Sequence, residues 1–157
     1  MREMPKCLSS KKLSIFAFIF VLIADQLSKL CVLFYLNETI TITSFFNLVL
    51  VKNKGVTFGL FGGIVSPNIL VAFALFVVTA IVIFMKKQEA YYRLPTVFII
   101  SGAIGNIIDR IRYGAVIDFL DFHLYQYHWP AFNIADMAVV SGVFSLLFIS
   151  YIEENKS

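Results

Sequence analysis

Residues 64–85 read IVSPNILVAFALFVVTAIVIFM and contain no ionisable side chain. A helix that crosses the hydrocarbon core of a bilayer needs about 20 mainly apolar residues, so this stretch predicts one membrane span. Three further apolar stretches cover residues 13–36, 94–111 and 134–152. The third stretch is long enough only if its polar end, residues 106–111, faces protein rather than lipid. We therefore predict a mainly α membrane protein with four transmembrane helices.

Composition supports the bilayer as the natural solvent of this chain. Hydrophobic residues make up 59% of the 157 residues and charged residues 15%, and the mean hydropathy is +0.83. Soluble domains of this size carry about 25% charged residues, a larger fraction than in this sequence. The length predicts a single domain over residues 1–157. A net charge of +3 gives no case for nucleic acid as a partner.

The positions of lysine and arginine predict the orientation of the spans. One side of the membrane would carry Arg2, Lys6, Lys11, Lys12, Lys86, Lys87 and Arg93. The other side would carry Lys52, Lys54, Arg110 and Arg112. Since cytoplasmic loops are richer in these residues, we expect both termini in the cytoplasm and segments 37–63 and 109–129 outside. Residues 39–51 are β-prone, which predicts a small extracytoplasmic β element.

Acids in or beside membrane spans are functional candidates, because charge inside a bilayer is costly. The first span contains Asp25 and Lys29, which lie four residues apart and so share a helix face. We interpret them as a structural ion pair. Asn106, Asp109 and Arg110 can also share a helix face. They form either a polar helix end or a set of hydrogen-bonding groups for a polar substrate segment.

Two further aspartates, Asp118 and Asp136, fall near the outer surface in this topology. Asp121 competes with Asp118, since it lies three residues on in the same predicted loop. Asp136 is the third residue after Asn133, a pattern that is equally typical of a helix cap. Two carboxyl groups brought together in a water-poor site share one proton. One can then activate water while the other polarises a carbonyl group.

Other functions fit the sequence less well. His123 and His128 could join the nearby acids in a metal site, but no compact metal motif or HExxH sequence is present. A proton-coupled transporter using Asp25 and Asp136 would need acids spread through the membrane depth. A scaffold would use its acids only to pair with Lys29, Arg110 and Arg112. We expect no metal and no cofactor.

Five sequence blocks in register resemble bacterial lipoprotein signal peptidases, the signal peptidase II family. They are DQLSK (25–29), NKGVTFG (53–59), GAIGNIIDR (102–110), GAVIDF (114–119) and FNIAD (132–136). The resemblance implies that Asp118 and Asp136 are the catalytic pair of an aspartic endopeptidase. It further implies supporting or substrate-binding roles for Asp25, Lys29, Asn53, Gly55, Asn106, Asp109, Arg110 and Asn133.

The resemblance also implies a substrate and a location. The substrate is a diacylglyceryl-modified prolipoprotein, cut just before its lipidated cysteine. The enzyme would be a monomer in the bacterial cytoplasmic (inner) membrane, surrounded by lipid, with its active site near the outer face. Globomycin-type cyclic peptides would be its inhibitors. This sequence departs from the usual family pattern at Lys54, Val56, Thr57 and Met137, which affects the expected shape of the substrate cradle rather than a catalytic group.

Overall fold

The computed structural model describes residues 10–55, 65–86 and 88–155 of the chain. Four long helices dominate this part: α1 (Lys11–Tyr35), α2 (Pro67–Met85), α3 (Arg93–Tyr113) and α4 (Ile134–Glu154). All four are long and apolar enough to cross a membrane, judged by length and composition. The predicted start of the second span at Ile64, the departures at Val56 and Thr57, and the topology markers Arg2, Lys6 and Lys87 lie outside the described residues.

Local sequence signals account for the helix ends. Ser10 caps α1 by accepting a hydrogen bond from the backbone nitrogen of Leu13. Pro67 occupies the first turn of α2, where its missing N–H costs nothing. Helix α3 ends at Gly114, whose φ of 66° is the left-handed conformation that glycine adopts without strain.

The four strands β1 (Ile40–Thr43), β2 (Phe46–Asn53), β3 (Val116–Leu124) and β4 (Tyr127–His128) form one antiparallel sheet in chain order. Strand β1 and most of β2 fall within residues 39–51, the segment predicted to be β-prone. Strand β3 corrects the sequence analysis, which placed Asp118 and Asp121 in a loop. Strand β3 pairs with β2, which lies more than 60 residues earlier in the chain, so the pairing could not be predicted from the local sequence.

Helix α3 lies at the centre of the bundle and packs against the other three helices. Close packing with α4 depends on Gly102, where an added Cβ would lie 2.2 Å from the carbonyl oxygen of Ala135. The outward faces of the helices carry large apolar side chains, among them Phe16, Phe76 and Phe144, each more than 60% exposed. An outer surface of this kind suits lipid and not water. The predicted class, a mainly α membrane protein with four spanning helices and a small sheet, is confirmed.

Candidate active site

The helices and the sheet enclose a cluster of buried polar side chains. Lys29, Asp25, Asp109, Asn133 and Asp118 are each at most 2% exposed. Burying a charge is costly unless it is paired and hydrogen-bonded. These side chains therefore depend on one another, and their partners define a site at one end of the helix bundle.

Lys29 connects α1 with α3. Its Nζ lies 2.8 Å from Asp25 Oδ2 and 2.8 Å from Asp109 Oδ2, and it donates to Asn106 Oδ1 at 3.0 Å. These three contacts use all three donors of the ammonium group. The ion pair inferred from the spacing of Asp25 and Lys29 is present, and Asp109 joins it as a second carboxylate.

Gln26 belongs to the same cluster, although the sequence analysis gave it no role. Its Nε2 lies 3.2 Å from Asp25 Oδ2 and 3.1 Å from Asp109 Oδ1. A polar residue next to Asp25 in an apolar span was the signal that could have identified it. Gln26 therefore provides a further hydrogen-bond donor to the two carboxylates that flank Lys29.

The segment before α4 runs along β3. The backbone nitrogens of Phe119 and Leu120 both donate to the carbonyl oxygen of Phe132, at 3.0 and 2.9 Å. The next residue, Asn133, is therefore held beside the strand that carries Asp118. Asn133 Nδ2 donates to Asp118 Oδ1 at 2.7 Å.

Asn133 also holds Asp136. Its Oδ1 accepts from the backbone nitrogen of Asp136 at 2.9 Å, and its own backbone nitrogen donates to Asp136 Oδ2 at 3.3 Å. This is the capping box that the spacing of the two residues suggests. The Asn133 side chain both caps α4 at Asp136 and donates to Asp118. Asn133 therefore brings Asp118 and Asp136 into one site.

Each of the two carboxyl groups has a second amide donor from another part of the fold. Asn53 at the end of β2 donates to Asp118 Oδ2 at 3.0 Å. Asn106 on α3 donates to Asp136 Oδ1 at 2.8 Å. Asn106 also accepts from Lys29, so the buried cation is connected to Asp136 through one side chain. Amide donors on both oxygens fix the orientation of each carboxyl group.

Burial raises the pKa of Asp118 to about 6. The hydrogen bond from Asn53 opposes this effect, the charge of Asp136 adds to it, and the hydrogen bond from Asn133 and the charge of Lys29 oppose it. A carboxyl group with this pKa can hold a proton near neutral pH, which an ordinary aspartate does not do. Asp118 can therefore act as an acid.

Asp121 lies on the other face of β3, because side chains three residues apart on a strand point in opposite directions. Its Oδ2 accepts from Asn47 Nδ2 at 3.0 Å, and His128 Nδ1 lies 2.9 Å from both oxygens. Burial raises the pKa of Asp121, but the hydrogen bonds from Asn47 and His128 outweigh burial and lower it below its ordinary value. Asp121 thus belongs to a separate cluster, in which sequence reasoning also missed Asn47.

Arg110 and Gly55 support the strand that carries Asn53. Arg110 Nη2 donates to the carbonyl oxygen of Gly55 at 3.0 Å, and the backbone nitrogen of Gly55 donates to Asn53 Oδ1 at 2.9 Å. These contacts anchor the end of β2 to α3. The position of Asn53 relative to Asp118 follows from this anchor.

The alternatives raised by the sequence can be compared with this geometry. Within residues 10–55, 65–86 and 88–155, no group of three or more His, Cys, Asp or Glu side chains is arranged to hold a metal ion. His123 and His128 instead stack on each other with ring centroids 4.9 Å apart. A transporter needs acids spread through the membrane depth, whereas Asp25 and Asp109 lie together on Lys29.

Sequence comparisons assign the chain to a family. Residues 17–152 match the family model for signal peptidase (SPase) II. A lipoprotein signal peptidase of Burkholderia cenocepacia (strain HI2424) is 44% identical over 134 residues, which cover 82% of this chain and 81% of that protein. A lipoprotein signal peptidase of Syntrophotalea carbinolica is 40% identical over 141 residues, which cover 83% of this chain and 86% of that protein.

Two solved structures of bacterial membrane enzymes, both determined by the in meso method, share the fold. One superposes with a TM-score of 0.81 at 28% identity and covers 92% of this chain and 90% of its own. The other has a TM-score of 0.77 at 27% identity and covers 88% of this chain and 92% of its own. Together with the four apolar helices, these matches identify a multi-pass membrane protein.

Proposed function

Because this chain belongs to the signal peptidase II family, we propose that it is an aspartic endopeptidase of prolipoproteins with Asp118 and Asp136 as its catalytic pair. The observation that carries the proposal is the double contact of Asn133. Its side chain binds Asp118 at 2.7 Å and caps the helix turn that presents Asp136. Two carboxyl groups, one from β3 and one from α4, are thereby held at one buried site.

The proposed reaction uses one proton shared by the pair. The ionised carboxylate takes a proton from water, whose oxygen attacks the carbonyl carbon of the residue before the lipidated cysteine. The protonated carboxyl group polarises that carbonyl during attack. When the C–N bond breaks, the pair returns a proton to the departing amine of the cysteine. The raised pKa of Asp118 suits it to hold the shared proton.

The surroundings of Asp136 suit a substrate with lipid chains. The next residue, Met137, is 50% exposed, and Val140 one turn further is 53% exposed, on the outward surface of α4. Asp118, by contrast, is 2% exposed. A diacylglyceryl-modified cysteine could therefore approach from the bilayer while the scissile bond reaches the carboxyl pair.

The proposal includes a topology, an assembly state and an inhibitor class. Lysine and arginine at the ends of the spans favour cytoplasmic termini, which would place Asp118 and Asp136 near the outer face of the bacterial cytoplasmic membrane. We expect a monomer, since both carboxyl groups and their donors come from one chain. Globomycin-type cyclic peptides are expected to compete with the substrate for the site.

The test is cleavage of a synthetic diacylglyceryl-modified precursor by purified protein. Asp118→Asn and Asp136→Asn should each lower the rate by about 1,000-fold or more, because each removes half of the acid–base pair. Both should remain folded in detergent, since asparagine keeps the shape and one acceptor oxygen.

Asp121→Asn is the matched control, because Asp121 is a buried acid on the same strand with two partners of its own. It should retain most of the activity. Cleavage by both pair variants would refute the aspartic mechanism. A chelator should leave the rate unchanged, and inhibition that zinc reverses would replace this mechanism with a metal-dependent one.

A further inference from the structure

The strand that carries Asp118 is attached to a buried acid of α3. Asp109 Oδ2 accepts a hydrogen bond from the backbone nitrogen of Ile117 at 3.2 Å, and Ile117 directly precedes Asp118 on β3. Asp109 and Ile117 are both buried. Because a hydrogen bond to an ionised acceptor is strong where water is excluded, the position of Asp109 helps to determine the position of Asp118.

The helix that carries Asp136 is attached in the same way to a buried acid of α1. Asp25 Oδ1 accepts a hydrogen bond from the backbone nitrogen of Ala135 at 2.8 Å, and Ala135 directly precedes Asp136 on α4. Asp25 and Ala135 are also buried. The separation of the two proposed catalytic residues therefore depends on how far Asp25 lies from Asp109.

Two side chains of α1 connect Asp25 with Asp109. Lys29 Nζ lies 2.8 Å from the Oδ2 atom of each acid. Gln26 Nε2 lies 3.2 Å from Asp25 Oδ2, 3.1 Å from Asp109 Oδ1 and 3.3 Å from the carbonyl oxygen of Gly105. Two carboxylates that share one ammonium group repel each other, and the amide nitrogen of Gln26 offsets this repulsion with donors that add no charge.

We propose that Gln26 is a positioning residue of the endopeptidase, and that it sets the separation of the carboxyl pair through Asp25 and Asp109. The inference rests on the proposed function, since it concerns the same site. Gln26 acts through the two buried acids and not on the substrate. Its loss should therefore lower the rate of the catalytic step and leave substrate binding unchanged.

The first test is Gln26→Met, which keeps the length of the side chain and removes its donors. Cleavage of a synthetic diacylglyceryl-modified precursor by the purified full chain in detergent gives kcat and KM. We expect kcat to fall about 10-fold or more with KM unchanged, because small displacements of reacting groups cost large factors in rate. The variant should remain folded, since Lys29 still binds both Asp25 and Asp109.

Ser28→Ala is the matched control for Gln26→Met. Ser28 is a half-buried polar residue on the same helix, and its hydroxyl donates to the backbone carbonyl oxygen of Asp25 at 2.8 Å. The substitution removes a hydrogen bond near Asp25 without touching the two carboxylates. It should leave kcat at the wild-type value.

The pH profile of cleavage distinguishes a positioning role from a merely structural one. Carboxyl groups that share a proton titrate further apart the closer they lie. Gln26→Met weakens the tie between two acids that repel each other, so the pair should separate and the acid and alkaline sides of the profile should move closer together. Gln26→Glu keeps the side-chain length but adds a third carboxyl group beside Lys29, and should lower kcat further than Gln26→Met.

Wild-type kcat in Gln26→Met would overturn the proposal, and so would an unchanged width of its pH profile. An equal loss of kcat in Ser28→Ala would show a general effect of polar contacts in α1 and would equally overturn it. A raised KM with unchanged kcat would place Gln26 at the substrate instead. Inactive Asp118→Asn and Asp136→Asn beside a fully active Gln26→Met would refute this inference alone, whereas cleavage by both aspartate variants would remove the pair itself.

Discussion

Asp25 Oδ1 accepts a hydrogen bond from the backbone nitrogen of Ala135 at 2.8 Å, across 110 residues of sequence. The bond joins the middle of α1 to the first turn of α4, where free backbone N–H groups and the helix dipole favour a negative charge. The other oxygen of Asp25 binds Lys29. Since Asp136 is the next residue after Ala135, the acid buried in α1 determines where α4 presents its own acid.

Two substitutions at Asp25 should separate its charge from its hydrogen bond. Asp25→Asn keeps an acceptor for the Ala135 nitrogen, and Lys29 retains Asp109. Asp25→Ala removes both interactions and leaves buried partners unsatisfied. We expect the alanine variant to lose about 3 kcal/mol or more of unfolding free energy and the asparagine variant to lose less. Denaturant unfolding in detergent micelles measures both, and equal losses would show that the bond to Ala135 does not matter.

Gly105 should be required because of the space that the Asp25 carboxylate occupies. A Cβ at Gly105 would lie 2.6 Å from Asp25 Oδ2 and 3.3 Å from the Cβ of Ala135. Gly105→Ala would therefore push Asp25 away from its partners. We expect a loss of about 1–3 kcal/mol in stability and a lower kcat per folded molecule.

Gly142→Ala is the control for Gly105. Its Cβ would lie 2.6 Å from the carbonyl oxygen of Pro95, a clash between α3 and α4 that does not involve Asp25. It should destabilise the protein comparably, yet the molecules that remain folded should cleave at the normal rate. Equal kcat losses in both variants would indicate a general packing effect and refute the specific role of Gly105.

The sequence predicted the parts of this fold that depend on local pattern. Apolar runs located the four helices, and i,i+4 spacing identified the partner of Asp25 on its own helix. The bond from Ala135 to Asp25 could not be predicted, because it depends on how α1 and α4 pack. The close approach of Gly102 to Ala135 of α4 likewise depends on how α3 and α4 pack.

Strand β3 was missed for a related reason. Its two acids, Asp118 and Asp121, are typical of a loop, and its strand character comes from pairing with β2, more than 60 residues earlier. Asp118 and Asp121 point to opposite faces of the sheet because side chains alternate along a strand. This could not be predicted without first recognising β3 as a strand. Only the resemblance to a family distinguished Asp118 from Asp121 in the sequence. In the structure each of them accepts a hydrogen bond from its own asparagine on β2, so the two acids belong to different clusters.

The pH dependence of cleavage should report the proton shared by Asp118 and Asp136. The pKa of Asp118 is raised to about 6, so its carboxyl group is protonated below that pH and ionised above it. As pH rises through about 6, the pair loses its last proton and kcat/KM should fall. At lower pH both carboxyl groups become protonated and the rate should fall again. A flat profile between about pH 4 and pH 9 would contradict a shared proton.

Asn53→Ala should shift the alkaline side of that pH profile, where kcat/KM falls, to higher pH. The hydrogen bond from Asn53 stabilises the ionised form of Asp118, so its loss raises the pKa of Asp118 further and keeps the proton bound to higher pH. A hydrogen bond to a charged group is worth about 1.5 kcal/mol, which corresponds to an upward displacement of about one pH unit. Asn47→Ala removes the equivalent donor from Asp121 and should leave the profile in place. If both variants shifted the alkaline side equally, or neither did, Asp118 would not be the group that titrates.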